Sequence, residues 1–349
     1  MTHKSLIEDP QSSEDLEARS QELKGTIGIA TGVLLGPLTI LGFFLVLNRL
    51  EPRALGTYSF LIGGPLVLAL LAARAPHRGM LKSFGMTLTG ISVLAAVMYL
   101  TRFEIGLCLV VLVAPFLMLG SLISLLVDLF ELRKIQKWLR TLKTPALLIL
   151  IVPLGLALIE RHYFEVASSR EIVSSIDVSA TPSAIWDGIT EVAPFAEQEL
   201  PATWLQPLGV PRPVRATIGA VDGTRVRVGY FENGLRFREQ VTTFRADREL
   251  GLSVTVDTST LNMNDVARHA FTQGFFEIGD VRYQIRPHGR RTELSLSCRY
   301  TVHTTITPYA HAVAGLIIRA FERDLLTALG SRFEHGLPTG GTTLIAESR

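Results

Sequence analysis

Residues 292–333 read TELSLSCRYTVHTTITPYAHAVAGLIIRAFERDLLTALGSRF, and the expected fold follows from them. Leu294, Leu296, Cys298 and Tyr300 alternate with Ser295, Ser297 and Arg299. That period of two marks a strand with one buried face. Thr307-Pro308 then offers an N-cap hydroxyl followed by a proline in the first helical turn. Ile317, Phe321, Leu325 and Ala328 recur at three- and four-residue steps, so the predicted helix carries one apolar stripe. A twisted antiparallel sheet closed by one long helix leaves a hollow between them, and such a hollow suits an apolar ligand.

Upstream, residues 171–178 read as a strand with Ile172, Ile176 and Val178 apolar, ended by Ala180-Thr181-Pro182. Ile185-Trp186 opens a short helix, and Pro194, Pro201, Pro207, Pro211 and Pro213 exclude long regular structure after it. From Val214 the chain becomes a meander. Val214, Ala216 and Ile218 alternate up to Asp222-Gly223, and Val226, Val228 and Tyr230 up to Asn233-Gly234. Leu235, Phe237, Glu239 and Val241 follow, then Leu250, Leu252, Val254 and Val256. Asp-Gly and Asn-Gly between alternating runs are hairpin signals. A loop over residues 257–273 precedes a strand over 276–285. The expected order is strand, small helices, about six antiparallel strands, long helix.

This order, the motif SATPSAIWDGITEV after the first strand and the closing amphipathic helix resemble the START-like helix-grip superfamily, the polyketide cyclase/dehydrase and lipid transport (SRPBCC) group. The resemblance covers residues 170–335, half the chain. GVPRPVRATI, FENGLRFREQVTTF and YTVHTTITPYAHAV also resemble uncharacterised bacterial membrane proteins with such a domain after several spans. The resemblance implies a lipid, sterol, polyketide or other apolar molecule between sheet and helix. Some members of the group catalyse cyclisation or hydrolysis and many only bind. They share no universal catalytic residue, so none is carried over.

The first half of the chain is different. Of all 349 residues 48% are hydrophobic, and the mean hydropathy is +0.32, high for a soluble protein, with the excess before residue 163. Residues 1–24 are polar and acidic and lack the basic start of a secretory signal. Five uncharged apolar segments follow, at 26–48, 57–73, 83–101, 105–127 and 144–159. A helix needs about 17–25 such residues to cross a bilayer, and four segments qualify. The fifth is short, and Lys143 and Arg161 can snorkel at its ends. The expected class is therefore an α-helical transmembrane bundle over residues 25–160, followed by an α+β helix-grip domain over 170–335. Residues 1–24 form a polar tail and 336–349 a disordered one.

Basic residues set the expected orientation. Arg74, Arg78 and Lys82 join spans two and three, and Arg133, Lys134, Lys137, Arg140 and Lys143 join spans four and five. The positive-inside rule places these loops and the N-terminus in the cytoplasm. The resemblance makes the membrane a bacterial inner membrane. Five spans put the C-terminal domain outside it; four put it in the cytoplasm. Leu132, Ile135, Leu139 and Leu142, with Trp138 and five cations around them, suit a helix on an anionic leaflet, or an ordinary positive-inside loop. No Asp, Glu, Lys, Arg or His lies within the spans, which argues against ion-coupled transporters and pumps. Residues 164–349 carry 19 Lys/Arg against 21 Asp/Glu, without the basic stripe of a nucleic-acid binder.

The expected lining of the hollow is Tyr230, Phe237, Glu239, Val241, Phe276, Tyr283, Leu296, Cys298 and Tyr300 from the sheet, with Ile317, Phe321 and Leu325 from the helix. Each alone is more often packed core. Glu239 is the sharper case, because a lone inward carboxylate is costly. It could act as an acid or base, or receive a ligand's polar head. Its ordinary alternative is a salt bridge with one of the domain's arginines, and a one-residue slip would expose it. Asp265 and His269, four apart, would share one face of a helical turn, as a local hydrogen bond or a catalytic pair. Ser259 and Thr272 are nearby hydroxyls without a nucleophile-elbow motif.

Cys108 and Cys298 fall in different halves, and His303 and His311 have no further ligands, so no metal site or cofactor is expected. The expected partners are the lipid bilayer, a hydrophobic small molecule and another membrane protein docked to the spans. Three functions stay open: a binding module, a cyclase- or hydrolase-type enzyme on the same cavity, and an accessory protein with a filled core.

Overall fold

The computed structural model describes residues 57–72, 85, 88–93, 96, 116–122, 126, 155–160, 167–260 and 274–335. The predicted span at 26–48, parts of those at 83–101, 105–127 and 144–159, the two tails and the Asp265/His269 pair lie outside these, whereas the span at 57–73 is described up to Ala72. The described residues divide into two compact units that adjoin in sequence at Ile159 and Glu160.

In the first unit, helix α1 spans Tyr58–Ala72, 15 residues with Pro65 inside and no charge in its first or last turn. Leu61, Ile91 and Phe116 are buried here, whereas Met118, Leu122, Leu126, Leu158 and Ile159 are exposed. Among the described residues no helix is long and apolar enough to cross a membrane.

The second unit is a seven-stranded antiparallel sheet, in the order β1-β7-β6-β5-β4-β3-β2, with two helices. Strand β1 is Ala167–Val178 and helix α2 is Pro182–Thr190. The meander runs through β2 Pro213–Val221, β3 Thr224–Phe231, β4 Arg236–Arg245, β5 Glu249–Val256, β6 Phe276–His288 and β7 Arg291–His303. Helix α3, Thr307–His335, closes the chain. An antiparallel sheet packed on one long C-terminal helix is the helix-grip arrangement expected from the sequence.

Turn chemistry positions the strands. Asp222 and Gly223 both have positive φ (49° and 75°) and join β2 to β3 in the two-residue turn that matches strand twist. The β3–β4 connection is longer than the expected Asn-Gly hairpin. Glu232–Gly234 forms a 3-10 turn with Asn233 at φ 61°, closed by Phe231 N–H donating to the Leu235 carbonyl. Thr181 caps α2 by accepting from the Ala184 N–H at 3.3 Å, with Pro182 in the first turn.

The two terminal elements of the domain meet. Strand β1 pairs with β7 along its whole length, Ala167 with His303 through to Val178 with Thr292, and α3 lies across both. Alternation then puts Ile172, Ser174, Ile176 and Val178 of β1 on the same face as Leu294, Leu296, Cys298, Tyr300 and Val302 of β7. The main core joins Val178, Leu250, Leu252, Tyr283, Ile285, Leu294 and Leu296 to Ile185, Trp186 and Ile189 of α2 and Leu326, Leu329 and Phe333 of α3. A second cluster holds Ile172, Tyr300 and Val302, packed by Phe276, Ala314 and Ile318. A third, Leu235 with Phe231, Phe237 and Val256, stands apart at the β3–β4 turn.

Candidate functional site

The inner face of β3 and β4 carries charge. Arg227 and Glu239 face each other in the ladder, and both are buried. The Arg227 guanidinium Nη1 donates to the Glu239 carboxylate in a short ion pair. Gly229 makes room for it: a Cβ there would stand 3.0 Å from Glu239 Oε1. Glu239 thus lies on the inward phase with its charge matched by an arginine, the ordinary alternative weighed from sequence.

Tyr230 corrects the expected lining. It lies on the other face of the sheet, with Arg215 stacked at 4.1 Å and Arg236 at 5.6 Å from its ring centroid. The phase of β3 is inverted relative to its apolar residues. Arg225, Arg227, Gly229 and Phe231 take the inner phase, because Arg227 must meet Glu239 and Phe231 must reach Phe237, 4.4 Å away between centroids.

The other expected residues distribute over three places. Val241, Tyr283, Leu296 and Leu325 belong to or pack against the main core. Tyr300 and Phe276 stack at 5.7 Å in the second cluster. Phe237 lies in the third, which α3 approaches through Phe321, 6.2 Å from Phe231. Phe231, Phe237, Val256, Ile317 and Phe321 are only half-buried, in contrast to the filled core beyond them. Cys298 is buried between these regions, and burial pushes its thiol up to about 12.

Glu322, absent from the expected lining, is 1% exposed on α3. One carboxylate oxygen accepts from Ser174 Oγ of β1 at 2.6 Å. The other, Oε1, has no hydrogen-bond partner among the described residues, and neither does Arg227 Nε. Burial raises the Glu322 carboxyl to about 7, against the opposing pull of Ser174 and Arg319. Tyr283, pushed up to about 12 by burial, feels the fields of Arg227, Glu239 and Glu322 together. The interior therefore gathers two carboxyls, one guanidinium and one phenol within apolar walls. A sequence signal for Glu322 existed: it lies four residues after Ile318 and three before Leu325, within the stripe that α3 turns to the sheet.

A second polar chain lies nearer the start of α3. His311 Nδ1 is 3.1 Å from the Tyr300 hydroxyl, and its Nε2 is 3.0 Å from Ser168 Oγ. Burial, with Arg170 nearby, lowers the His311 imidazole, which favours its neutral form. His303 Nε2 stands 3.1 Å from Glu277. Among the described residues no three His, Cys, Asp or Glu side chains form a candidate metal cluster. At the far end of α3, Arg332 donates to Glu199 and to the carbonyls of Ala193 and Pro194, tying the proline-rich loop to the helix. Ser259 is held by Asp257, its N–H and hydroxyl both donating to Oδ1.

No protein-family model matches the chain, and the search of curated proteins finds no match. Solved structures similar to it include a truncated norcoclaurine synthase from Thalictrum flavum, 14% identical, with 48% of this chain and 94% of that one covered and a TM-score of 0.32. The Zhui aromatase/cyclase from Streptomyces sp. R1128 is 12% identical, with 50% and 100% covered and a TM-score of 0.33. Both likenesses are confined to about half of this chain.

Proposed function

We propose that the C-terminal domain binds an apolar or amphiphilic small molecule between its sheet and α3, and that the apolar N-terminal segments hold it at a bilayer. The observation that carries the binding reading is the half-buried group Phe231, Phe237, Val256 and Phe321 where β3, β4 and β5 meet α3, beside a filled core. Apolar side chains left half open next to a packed interior gain about 25 cal/mol per Å² when a ligand covers them. Bilayer anchoring draws on the five uncharged segments and on Met118, Leu122 and Leu126, exposed apolar residues at every fourth position. Exposed apolar side chains of this kind are costly in water and favourable against lipid. Anchoring shortens the path from bilayer to pocket.

Extraction of the full chain in mild detergent, followed by mass spectrometry of co-purified lipids, tests the reading. About one lipophile per chain is expected, released when Phe237→Glu places a charge among the aromatic rings. Protein that carries none and takes up none overturns it. A cyclase- or hydrolase-type enzyme on the same cavity is the second reading, favoured by Glu322: a buried carboxyl that titrates near 7 can both give and take a proton. On that reading Glu322 is the acid–base group, because Glu239 is engaged by Arg227.

A further inference from the structure

Glu322 is a buried carboxyl with one of its two oxygens unpartnered. Its Oε2 is engaged by Ser174, but its Oε1 is unpartnered in a residue 1% exposed. Leaving such an oxygen unsatisfied costs more than the average hydrogen bond returns, so a buried group of this kind calls for a partner. On the same inner face Arg227 Nε is an unpartnered donor, and the Tyr283 hydroxyl lies in the field of both residues. Around these polar atoms the walls are apolar: Leu296, Val281, Leu325 and, towards α3's first half, Phe321.

The head group that fits must serve Oε1 in both forms of a carboxyl that burial raises to about 7, donating to the carboxylate and accepting from the neutral acid, and must tolerate donors around it. A carboxylate or phosphate cannot donate when ionised, and it would meet two resident carboxyls against one guanidinium that Glu239 already pairs. An ammonium has donors only: it cannot accept from the neutral Glu322 acid, and it leaves Arg227 Nε without an acceptor. A hydroxyl does both, giving its proton to Oε1 and keeping lone pairs for a donor. Resting on the binding reading above, we infer that Glu322 is the polar anchor of the cavity and that the ligand is an apolar molecule with a single hydroxyl head, an alcohol or phenol. Ser174 positions the carboxyl so that Oε1, and not Oε2, is offered to the ligand.

The test is photo-crosslinking of the full chain in detergent micelles with two probes. One is a C16 primary alcohol with a mid-chain diazirine; the other is its methyl ether, equal in apolar surface but without the donor. Adducts of both probes on peptides from β3, β4 and α3 are expected, with the alcohol labelling about tenfold more at equal concentration, as one good hydrogen bond allows. In Glu322→Gln, whose amide keeps the side-chain shape, the preference should fall to about twofold or less. Ser174→Ala, which frees Oε2 to compete for the hydroxyl, should retain the alcohol preference. Equal labelling by alcohol and ether in the wild-type chain overturns the hydroxyl assignment and leaves the binding reading standing. An unchanged preference in Glu322→Gln removes Glu322 as the anchor. Failure of both probes to label these peptides overturns the binding reading itself.

Discussion

Glu239 faces inward because it shares a phase with Phe237 and Val241, and that much is visible in the alternation of β4. Its partner was not visible. Arg227 lies between Val226 and Val228, and parity read from those apolar neighbours turns it to the wrong face. Glu322 was hidden for a similar reason: the stripe Ile317, Phe321, Leu325 and Ala328 counts apolar residues only, and the buried face observed beside Leu325 and Ala328 also takes Glu322, Leu326, Leu329 and Phe333. In both cases the apolar pattern is interrupted by the polar group that occupies the interior.

The titration of Glu322 gives this placement a measurable consequence. Its folded-state value, about 7, is raised from the ordinary 4.5 by burial. The folded chain thus binds the proton more tightly than the unfolded chain does. The neutral form is common to both states below about 4.5, so stability there carries no penalty. Between about 4.5 and 7 the unfolded chain ionises first, and stability falls as pH rises; above the folded value the loss levels off. Melting temperature followed from pH 4.5 to 8 should show wild type losing ground to Glu322→Gln up to about pH 7, then running parallel to it. Curves parallel throughout would mean that Glu322 is solvated.

At the scale of elements, the order strand, short helix, six strands, long helix reads directly from turn residues and alternation. The pairing of β1 with β7 does not, because it joins residues more than a hundred positions apart and leaves no local mark. Helix α3 closes on these two strands where a glycine permits it. A Cβ on Gly330 would stand 2.8 Å from Ile176 Cδ1 and 3.8 Å from Val178 Cγ2. Glycine in a helix interior costs about 0.5–1 kcal/mol relative to alanine, so its use here reflects close packing against β1. Gly330→Ala alone should therefore yield no gain, as the methyl presses on Ile176. Ile176→Val removes the obstructing carbon, and in that background Gly330→Ala should stabilise the chain. The sign change, read by denaturant unfolding of the four chains in a double-mutant cycle, is the expected result. Equal effects of Gly330→Ala in both backgrounds would show that α3 does not press on β1 at this point.

For the whole molecule, the division of labour is written in charge more than in length. The first 163 residues hold 15 Lys/Arg against 11 Asp/Glu, concentrated between uncharged runs, while the rest is close to neutral. Basic stretches of sequence at residues 74–82 and 133–143 alternate with weaker ones that hold Arg49, Arg53 and Arg102. On the anchoring reading, that asymmetry keeps the two richer loops and the N-terminus in the cytoplasm. The side occupied by the C-terminal domain then depends on segment 144–159 alone. Its 16 residues reach roughly 24 Å as a helix, short of the ~30 Å hydrocarbon core, and Lys143 and Arg161 can extend their charges outward from its ends. Crossing is the expected outcome, because no charge interrupts the segment and its alternative, a dip into the bilayer, leaves helix-end carbonyls in hydrocarbon. Alkaline phosphatase fused after Arg349 should be active and green fluorescent protein at the same position dark, since the first matures only outside a bacterial cytoplasm and the second only inside it. The reverse pair of results would give four spans, and with them a binding domain that meets the cytoplasmic leaflet.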